Sequence, residues 1–343
     1  MTSVHFVVPA GIDDPARPSG GNSYDRRLRS GLLATGWDVR THAIPGAWPD
    51  RGALDALAGA VAGVPDGAVL LVDGLIASAA PGVLVPEAAR VRLVVLVHMP
   101  LDDDGEAAVL DAACAVVTTS GWTRDRVLAR YSLRPQCVQV AEPGVDAAPL
   151  ADGAENRLLC VAAVTPHKGH DVLIRALARI ADESWRCDCV GPLDRDPAFV
   201  ARVRTQAGGR VRFRGPLTDA ALDRAYAAAG VLVLPSRAET YGMVVTEALA
   251  HGLPVIASDV GGVPDALGRT PDGAVPGLLV PPGDDAALAR ALRTWLRDPE
   301  LRHRLRAAAR TRRDGVRGWP DTVDRVARVL RAVAARECAG AAR

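Results

Sequence analysis

The sequence predicts an α/β protein made of two doubly wound domains. Short apolar runs alternate with helical patterns along almost all of the 343 residues, the rhythm of parallel sheets covered by helices. The runs themselves, such as "AVLLVDG" and "RLVVLVHMP", are apolar without strict alternation, as in strands buried on both faces. The rhythm breaks once, at the turn-rich "VDAAPLADGAENR", which reads as a linker.

In chain order, "VHFVVP" reads as a strand and Ser23–Leu33 as an amphipathic helix. "AVLLVDG", "RLVVLVHMP", "ACAVVTTS" and "CVQVAEPG" read as further strands, with the helical "WTRDRVLARYSL" before the last. In the second half "LLCVAAV", "RCDCVGP", "VRFRG", "VLVLPS", "PVIAS" and "GLLVPPG" read as strands, and "HDVLIRALARIAD" as a helix. A charged helical stretch, "LARALRTWLRDPELRHRLRAAARTRR", follows. The expected domains are 1–150 and 151–319, with a last helix over about 320–343. Ligands of such sheets bind at the carboxyl ends of the strands, so a cleft between two facing domains is the expected site.

Aromatic residues are only 4% of the chain while 49% is hydrophobic, so aliphatic side chains must fill the core. The 33 Gly and 25 Pro are scattered between apolar runs, as many short loops require rather than disorder. The six cysteines show no metal-ligand spacing and are expected to be reduced packing residues. No run reaches the ~20 apolar residues of a membrane span and the start lacks a leader pattern, so a cytoplasmic location is expected. Residues 1–150 hold 12 Arg against 17 acids, and the remainder 29 basic residues against 23. An acidic first half suits neither nucleic acid nor an anionic bilayer. The sequence leaves the oligomeric state open.

The chemistry concentrates in "SRAETYGMVVTEALAHGLPVIASDVGG", Ser236 to Gly262. "VLVLPS" is a strand, "RAET" a loop and "YGMVVTEALAHG" a helix ended at Gly252. Glu239 therefore follows the carboxyl end of a strand, and Glu247 lies about one and a half turns into the helix. Between them the backbone N–H groups of Tyr241, Gly242 and Met243 lie at the helix start and attract anions. Amides for phosphate and carboxylates for sugar hydroxyls suit a nucleotide sugar. The spacing equally allows Glu239 to be a helix cap and Glu247 a solvated helix residue.

This segment resembles the E-x7-E signature of the retaining glycosyltransferases of family 4, which have the two-domain GT-B fold. The resemblance extends to "PSGGNSYDRRLRSGLLATGWDV", "VVLVHMP", "AVVTTSGWTRDRVLARYSL" with "VQVAEPGVD", "AAVTPHKGHDVLIRAL" and "GWPDTVDRVARVL", in the family's order and over nearly the whole chain. It implies an N-terminal acceptor domain, a C-terminal donor domain, and a final helix that crosses back onto the first.

It also implies roles. Lys168, the only lysine of the chain, binds donor phosphate. Glu247 takes the ribose hydroxyls, and Glu239 lies beside the transferred sugar. Tyr241, Gly242 and Met243 hold the diphosphate through their amides. Gly20 and Gly21 let the first loop approach the donor, and His98 lies near the donor sugar. The catalytic set is His98, Glu239 and Lys168. Where the family places a Gly-Arg pair, this chain has Ala162-Ala163, so one phosphate-binding cation is missing and Arg237 is the expected stand-in. Thr119 and Ser120 suit a helix cap as well as a ligand.

Asp102, Asp103 and Asp104 tempt towards a metal, but the resemblance implies no metal and no cofactor. The negative charge of the first half makes them expected acceptor contacts, favouring a neutral or cationic small molecule. The resulting expectation is a retaining transferase of a hexose-type sugar from a nucleotide diphosphate sugar. A nucleotide-sugar 2-epimerase and a non-catalytic nucleotide-sugar-binding protein are the alternatives. A glycoside hydrolase fits poorly, because both glutamates belong to one strand–helix unit instead of flanking a bond.

Overall fold

The computed structural model describes residues 2–14, 18–46 and 50–335. Cys338 and positions 336–343 of the expected last helix lie outside them. The chain divides into two compact units, Met1–Gly144 with Trp319–Arg343, and Val145–Gly318.

Unit 1 holds strands β1 (Ser3–Pro9), β2 (Asp38–Ile44), β3 (Val69–Asp73), β4 (Arg92–Val97), β5 (Ala115–Thr118) and β6 (Val138–Val140). They form one sheet in the order β2-β1-β3-β4-β5-β6, with every pairing parallel. Its helices are α1 (Gly20–Ala34), α2 (Arg51–Ala62), α3 (Gly74–Ala79), α4 (Pro81–Glu87), α5 (Asp104–Ala112) and α6 (Gly121–Arg130). Period-two alternation in β3 assigns its two faces. Leu70 and Val72 pack with Leu57, Val61, Leu84 and Val109, whereas Val69 and Leu71 pack with Leu28, Leu32, Val326 and Leu330.

Unit 2 holds β7 (Arg157–Val161), β8 (Arg186–Val190), β9 (Val211–Gly215), β10 (Val231–Leu234), β11 (Val255–Ser258) and β12 (Gly277–Val280). Their order is β12-β11-β10-β7-β8-β9, again all parallel. The helices are α7 (His170–Ala178), α8 (Pro197–Gln206), α9 (Asp219–Ala227), α10 (Met243–Ala250), α11 (Val263–Leu267), α12 (Asp285–Arg297) and α13 (Pro299–Arg313). Leu158, Cys160, Val231 and Val233 meet α7 and α12 on one face, and Leu159, Leu232 and Leu234 meet α9 and α10 on the other. No disulfide joins the five described cysteines. No helix among the described residues is long and apolar enough to cross a membrane.

The last helix, α14 (Trp319–Ala335), belongs to unit 1. Val323, Val326, Ala327, Leu330 and Val333 give it one apolar face, buried with α1. Gly31 makes the close crossing possible, since a Cβ there would lie 2.3 Å from Val323 Cγ2.

Two elements depart from the sequence reading. β2 was not among the expected strands. It is an edge strand whose residues are mostly half-buried or exposed, so it lacks the apolar run that marks the others. The single charged helical stretch is two helices. Asp298 ends α12 and caps α13 through Leu301 N, with Pro299 opening the new helix, a position proline tolerates because its missing N–H has no partner there.

Candidate functional site

In a parallel sheet the chain leaves neighbouring strands in opposite directions where the strand order reverses, and a crevice opens at their carboxyl ends. In unit 2 that point lies between β7 and β10. The loop after β7 carries Lys168 and the loop after β10 carries Glu239. Lys168 Nζ lies 2.7 Å from Glu239 Oε1, and Ser236 Oγ donates to the same oxygen at 2.8 Å.

The two loops are stitched together by main-chain contacts. Lys168 ends a short turn, Pro166–Lys168, and Gly169 follows with φ +71°. A Cβ on Gly169 would lie 2.0 Å from Pro235 O, so only glycine lets the lysine loop reach the end of β10. Arg237 N donates to His167 O at 2.7 Å. The Arg237 guanidinium grips Asp171 with both terminal nitrogens, at 2.8 and 2.7 Å, and donates to Pro166 O. Burial pushes the Asp171 carboxyl up, but Arg237 and Arg175 outweigh it and hold the group down at about 2.

Helix α10 starts at Met243, with Gly242 at the cap position in the left-handed region (φ +90°, ψ 60°) and no side-chain cap. Glu239 is therefore not a helix cap. Its carboxylate turns to Lys168, and the N-terminal end of α10 offers main-chain donors. Tyr241 is buried. The Gly261-Gly262 loop backs this segment. A Cβ on Gly261 would fall 1.6 Å from Glu239 O and one on Gly262 2.3 Å from Thr240 O.

Glu247, half-buried on α10, accepts from Tyr226 OH at 2.7 Å. It is not a freely solvated helix residue, because burial holds its carboxyl above the usual range against the pull of that hydrogen bond. Tyr226 is fixed in turn by stacking on His251, with ring centroids 5.1 Å apart, and His251 Nδ1 lies 2.8 Å from Pro149 O.

In unit 1 the strand order reverses between β1 and β3. Gly20 and Gly21 lie here, in the first turn of α1 after its Ser19 cap and not in the expected loop. A Cβ on Gly21 would touch His98 Cδ2 at 3.4 Å. His98 follows β4, and its Nε2 lies 2.8 Å from Asp25 Oδ1 and 3.4 Å from Asp73 Oδ2. Ser120 caps α6 through Thr123 N, and Thr119 Oγ1 donates to His98 O at 3.4 Å.

Two expectations need correction. Arg237 is not a free stand-in for the cation missing at Ala163, since Asp171 pairs its charge and, with Pro166, takes three of its five N–H donors. Two of the three acids expected to meet an acceptor serve the fold. Asp102 pairs with Arg126 at 2.6 Å from a φ of +61°, and Asp103 caps α5 through Glu106 N. Asp104 alone lines a cavity of about 300 Å³, with Asp111, Arg130 and Tyr131 among its other walls.

Residues 145–312, spanning β7 to α13, match the family model of the glycosyl transferases group 1. The match covers nearly all of unit 2 and just under half of the chain. Among curated relatives, D-inositol 3-phosphate glycosyltransferase 1 of Catenulispora acidiphila is 34% identical over 257 residues, 68% of this chain and 60% of the relative. The D-inositol 3-phosphate glycosyltransferase of Streptomyces avermitilis is 35% identical over 235 residues, 60% of this chain and 49% of the relative. The matches thus span half to three-fifths of these relatives' length.

Solved structures extend the likeness to both units. Sucrose-phosphate synthase from Thermosynechococcus elongatus superposes with TM-score 0.79 at 23% identity, covering 97% of this chain and 99% of that one. Anabaena HepE in complex with UDP-glucose superposes with TM-score 0.77 at 16% identity, covering 97% and 100%. At these identities the likeness establishes the GT-B fold.

Sequence reasoning missed Tyr226, Ser236, Asp25, Asp73, Gly261 and Gly262. Asp73 had a signal, a carboxylate ending an apolar strand. Tyr226 had none, because its contact with Glu247 joins two helices 21 residues apart in sequence.

Proposed function

We propose that the chain is a retaining glycosyltransferase of family 4 that moves a hexose-type sugar from a nucleotide diphosphate sugar to a small soluble acceptor. The observation that carries this reading is the Lys168–Glu239 pair at the strand-order reversal of unit 2, beside the uncapped start of α10. On donor binding the pyrophosphate takes Lys168 Nζ and the amides at Gly242 and Met243, and Glu239 turns to the transferred sugar. Glu247, oriented by Tyr226, accepts from the ribose hydroxyls. Unit 1 binds the acceptor, and His98 carries the role that the resemblance gives it.

The bond from the anomeric carbon to the phosphate oxygen breaks with its electron pair left on the diphosphate. The acceptor oxygen bonds to the same face, and the diphosphate oxygen takes the acceptor's proton. Charge builds on the leaving phosphate, where preorganised donors lower the barrier most. Lysine and amides supply that charge compensation here, so the reading asks for no metal. It also asks for no other cofactor.

The curated relatives are named for D-inositol 3-phosphate and HepE was solved with UDP-glucose, which makes a cyclitol acceptor and a UDP-sugar the first pair to try. The test is incubation with UDP-, GDP- and ADP-sugars and a panel of inositols, inositol phosphates and aminocyclitols, at low and high salt, with the product's anomeric configuration read by NMR. Retention supports the proposal. Inversion contradicts it. Release of free nucleotide with the sugar epimerised and no acceptor needed favours the epimerase, and binding without release under every acceptor favours a binding protein.

A further inference from the structure

Unit 1 carries a buried charged cluster that the transfer chemistry above does not explain. Asp25 is 1% exposed and Asp73 4%, one from α1 and one ending β3, so the two carboxylates sit on either side of the strand-order reversal. Between them is His98. A 2.8 Å separation between Nε2 and Asp25 Oδ1 is a hydrogen bond, so a proton joins the pair. Asp73 Oδ2 stands 3.4 Å from the same nitrogen, while Asp73 Oδ1 accepts from Leu75 N and Ile76 N at 2.9 and 3.3 Å.

The ring is flanked by two further groups. Tyr24 meets it edge-on at 5.1 Å and is itself tied by its hydroxyl to Ala141 O at 2.9 Å. The first turn of α1 at Gly21 closes over Cδ2. Nδ1 has no partner among the described residues, yet the side chain is 17% exposed and this nitrogen is not sealed away. One nitrogen is thus held by buried carboxylates and the other is offered outward. Asp25 Oδ2 is buried with no hydrogen-bond partner, an uncompensated negative charge unless the ring is positive.

We propose that Asp25 and Asp73 are positioning residues that anchor His98 through Nε2 and keep it an imidazolium, so that Nδ1–H is held ready to donate to a bound substrate. This rests on the glycosyl-transfer reading for the identity of the ligand, but not for the state of the ring. The balance of charge agrees. Burial alone would push the His98 imidazole down, yet the Asp25 charge and hydrogen bond and the Asp73 charge carry it above its ordinary value. Burial, then the charge of Asp25, pushes Asp73 up to about 7. Proton uptake by Asp73 leaves one carboxylate facing one imidazolium, a neutral buried set. Asp25, Asp73 and the Tyr24 ring are the titratable groups that contact His98.

The test is a long-range proton–nitrogen NMR titration of the full chain with labelled histidine, His98 being assigned by its loss in His98→Gln. The wild type should show an imidazolium whose midpoint lies above 6.5, the ordinary value. Asp25→Asn should lower that midpoint by more than roughly one pH unit, and Asp73→Asn by less, since the second carboxylate is farther away. Circular dichroism confirms that each variant folds; if Asp25→Asn does not, Asp73→Asn carries the test. A neutral ring at pH 6.5, or a midpoint unmoved in the folded variants, overturns the proposal. So does a stoichiometric divalent cation in the wild type that Asp25→Asn loses.

With a turned-over donor, the basic limb of kcat/KM in Asp25→Asn should move to lower pH along with the ring. A limb that stays put while the ring shifts also overturns the proposal. A wild type that turns over no donor strikes the functional reading and leaves the titration standing.

Discussion

Lys168 Nζ and Glu239 Oε1 stand 2.7 Å apart, so the one lysine of the chain has a carboxylate as its counter-ion. A donor's pyrophosphate has to compete with that carboxylate. Glu239→Gln should therefore separate binding from chemistry. Affinity for a nucleoside diphosphate should stay level or rise several-fold, because the competing charge is gone while Ser236 can still hold the amide. Turnover should fall by about 10²-fold or more with the loss of a preorganised charge beside the reacting sugar. Calorimetry beside a nucleotide-release assay reads both, and equal losses in the two would contradict the account.

The packing around Lys168 and Glu239 depends on glycine at two positions. Gly169→Ala and Gly261→Ala should each destabilise the protein by more than ~1 kcal/mol, through left-handed backbone strain and a forced backbone shift. A Cβ at Gly208 meets nothing within 4 Å, so Gly208→Ala is the neutral control. Chemical denaturation of the three variants checks the ranking.

Arg237 and Asp171 provide a pH signature. The folded Asp171 carboxyl lies at about 2, below its ordinary 3.8. A group depressed on folding stabilises fully above the higher value, and its contribution drains away as pH falls through 3.8 towards 2. Arg237→Ala should lower Tm clearly at pH 7 and progressively less as pH falls through 3.8, with most of the difference gone only near pH 2. A Tm difference that is constant over this range would show that the pair does not carry the effect.

Tyr226→Phe removes the hydroxyl that orients Glu247. With Glu247 assigned to the ribose, donor KM should rise several-fold while kcat changes little, as expected when uniform binding is lost. The same change deletes one charged hydrogen bond, costing about 1.5–3 kcal/mol of stability. Steady-state kinetics against donor concentration reads the split, and a fall in kcat at constant KM would place Glu247 elsewhere in the reaction.

Most of the fold was legible because buried parallel strands cannot hide. β3, β4, β10 and β11 are apolar on both faces, and each stood out as an unbroken run. β2 could not, since an edge strand half open to solvent has no such run. The site was legible where chemistry follows chain order, as at Lys168-Gly169 and from Glu239 to Glu247. What escaped was set by topology. Asp25 and Asp73 meet His98 only because β1, β3 and β4 leave the sheet side by side, and no spacing along the chain encodes that. Asp102 and Asp103 misled for the opposite reason. Their local pattern suited a ligand, whereas Arg126 and the start of α5 claim them.

The central claim, that Lys168 and the start of α10 grip the pyrophosphate of a sugar nucleotide, meets its most direct test in titration calorimetry of UDP, GDP and ADP into the wild type and Lys168→Ala. One of the three should bind the wild type, and the variant should bind it at least about ten-fold more weakly, the ~1.4 kcal/mol minimum expected for a lost charge-assisted contact. Equal affinity in the two proteins, or no binding of any of the three to the wild type, would contradict it.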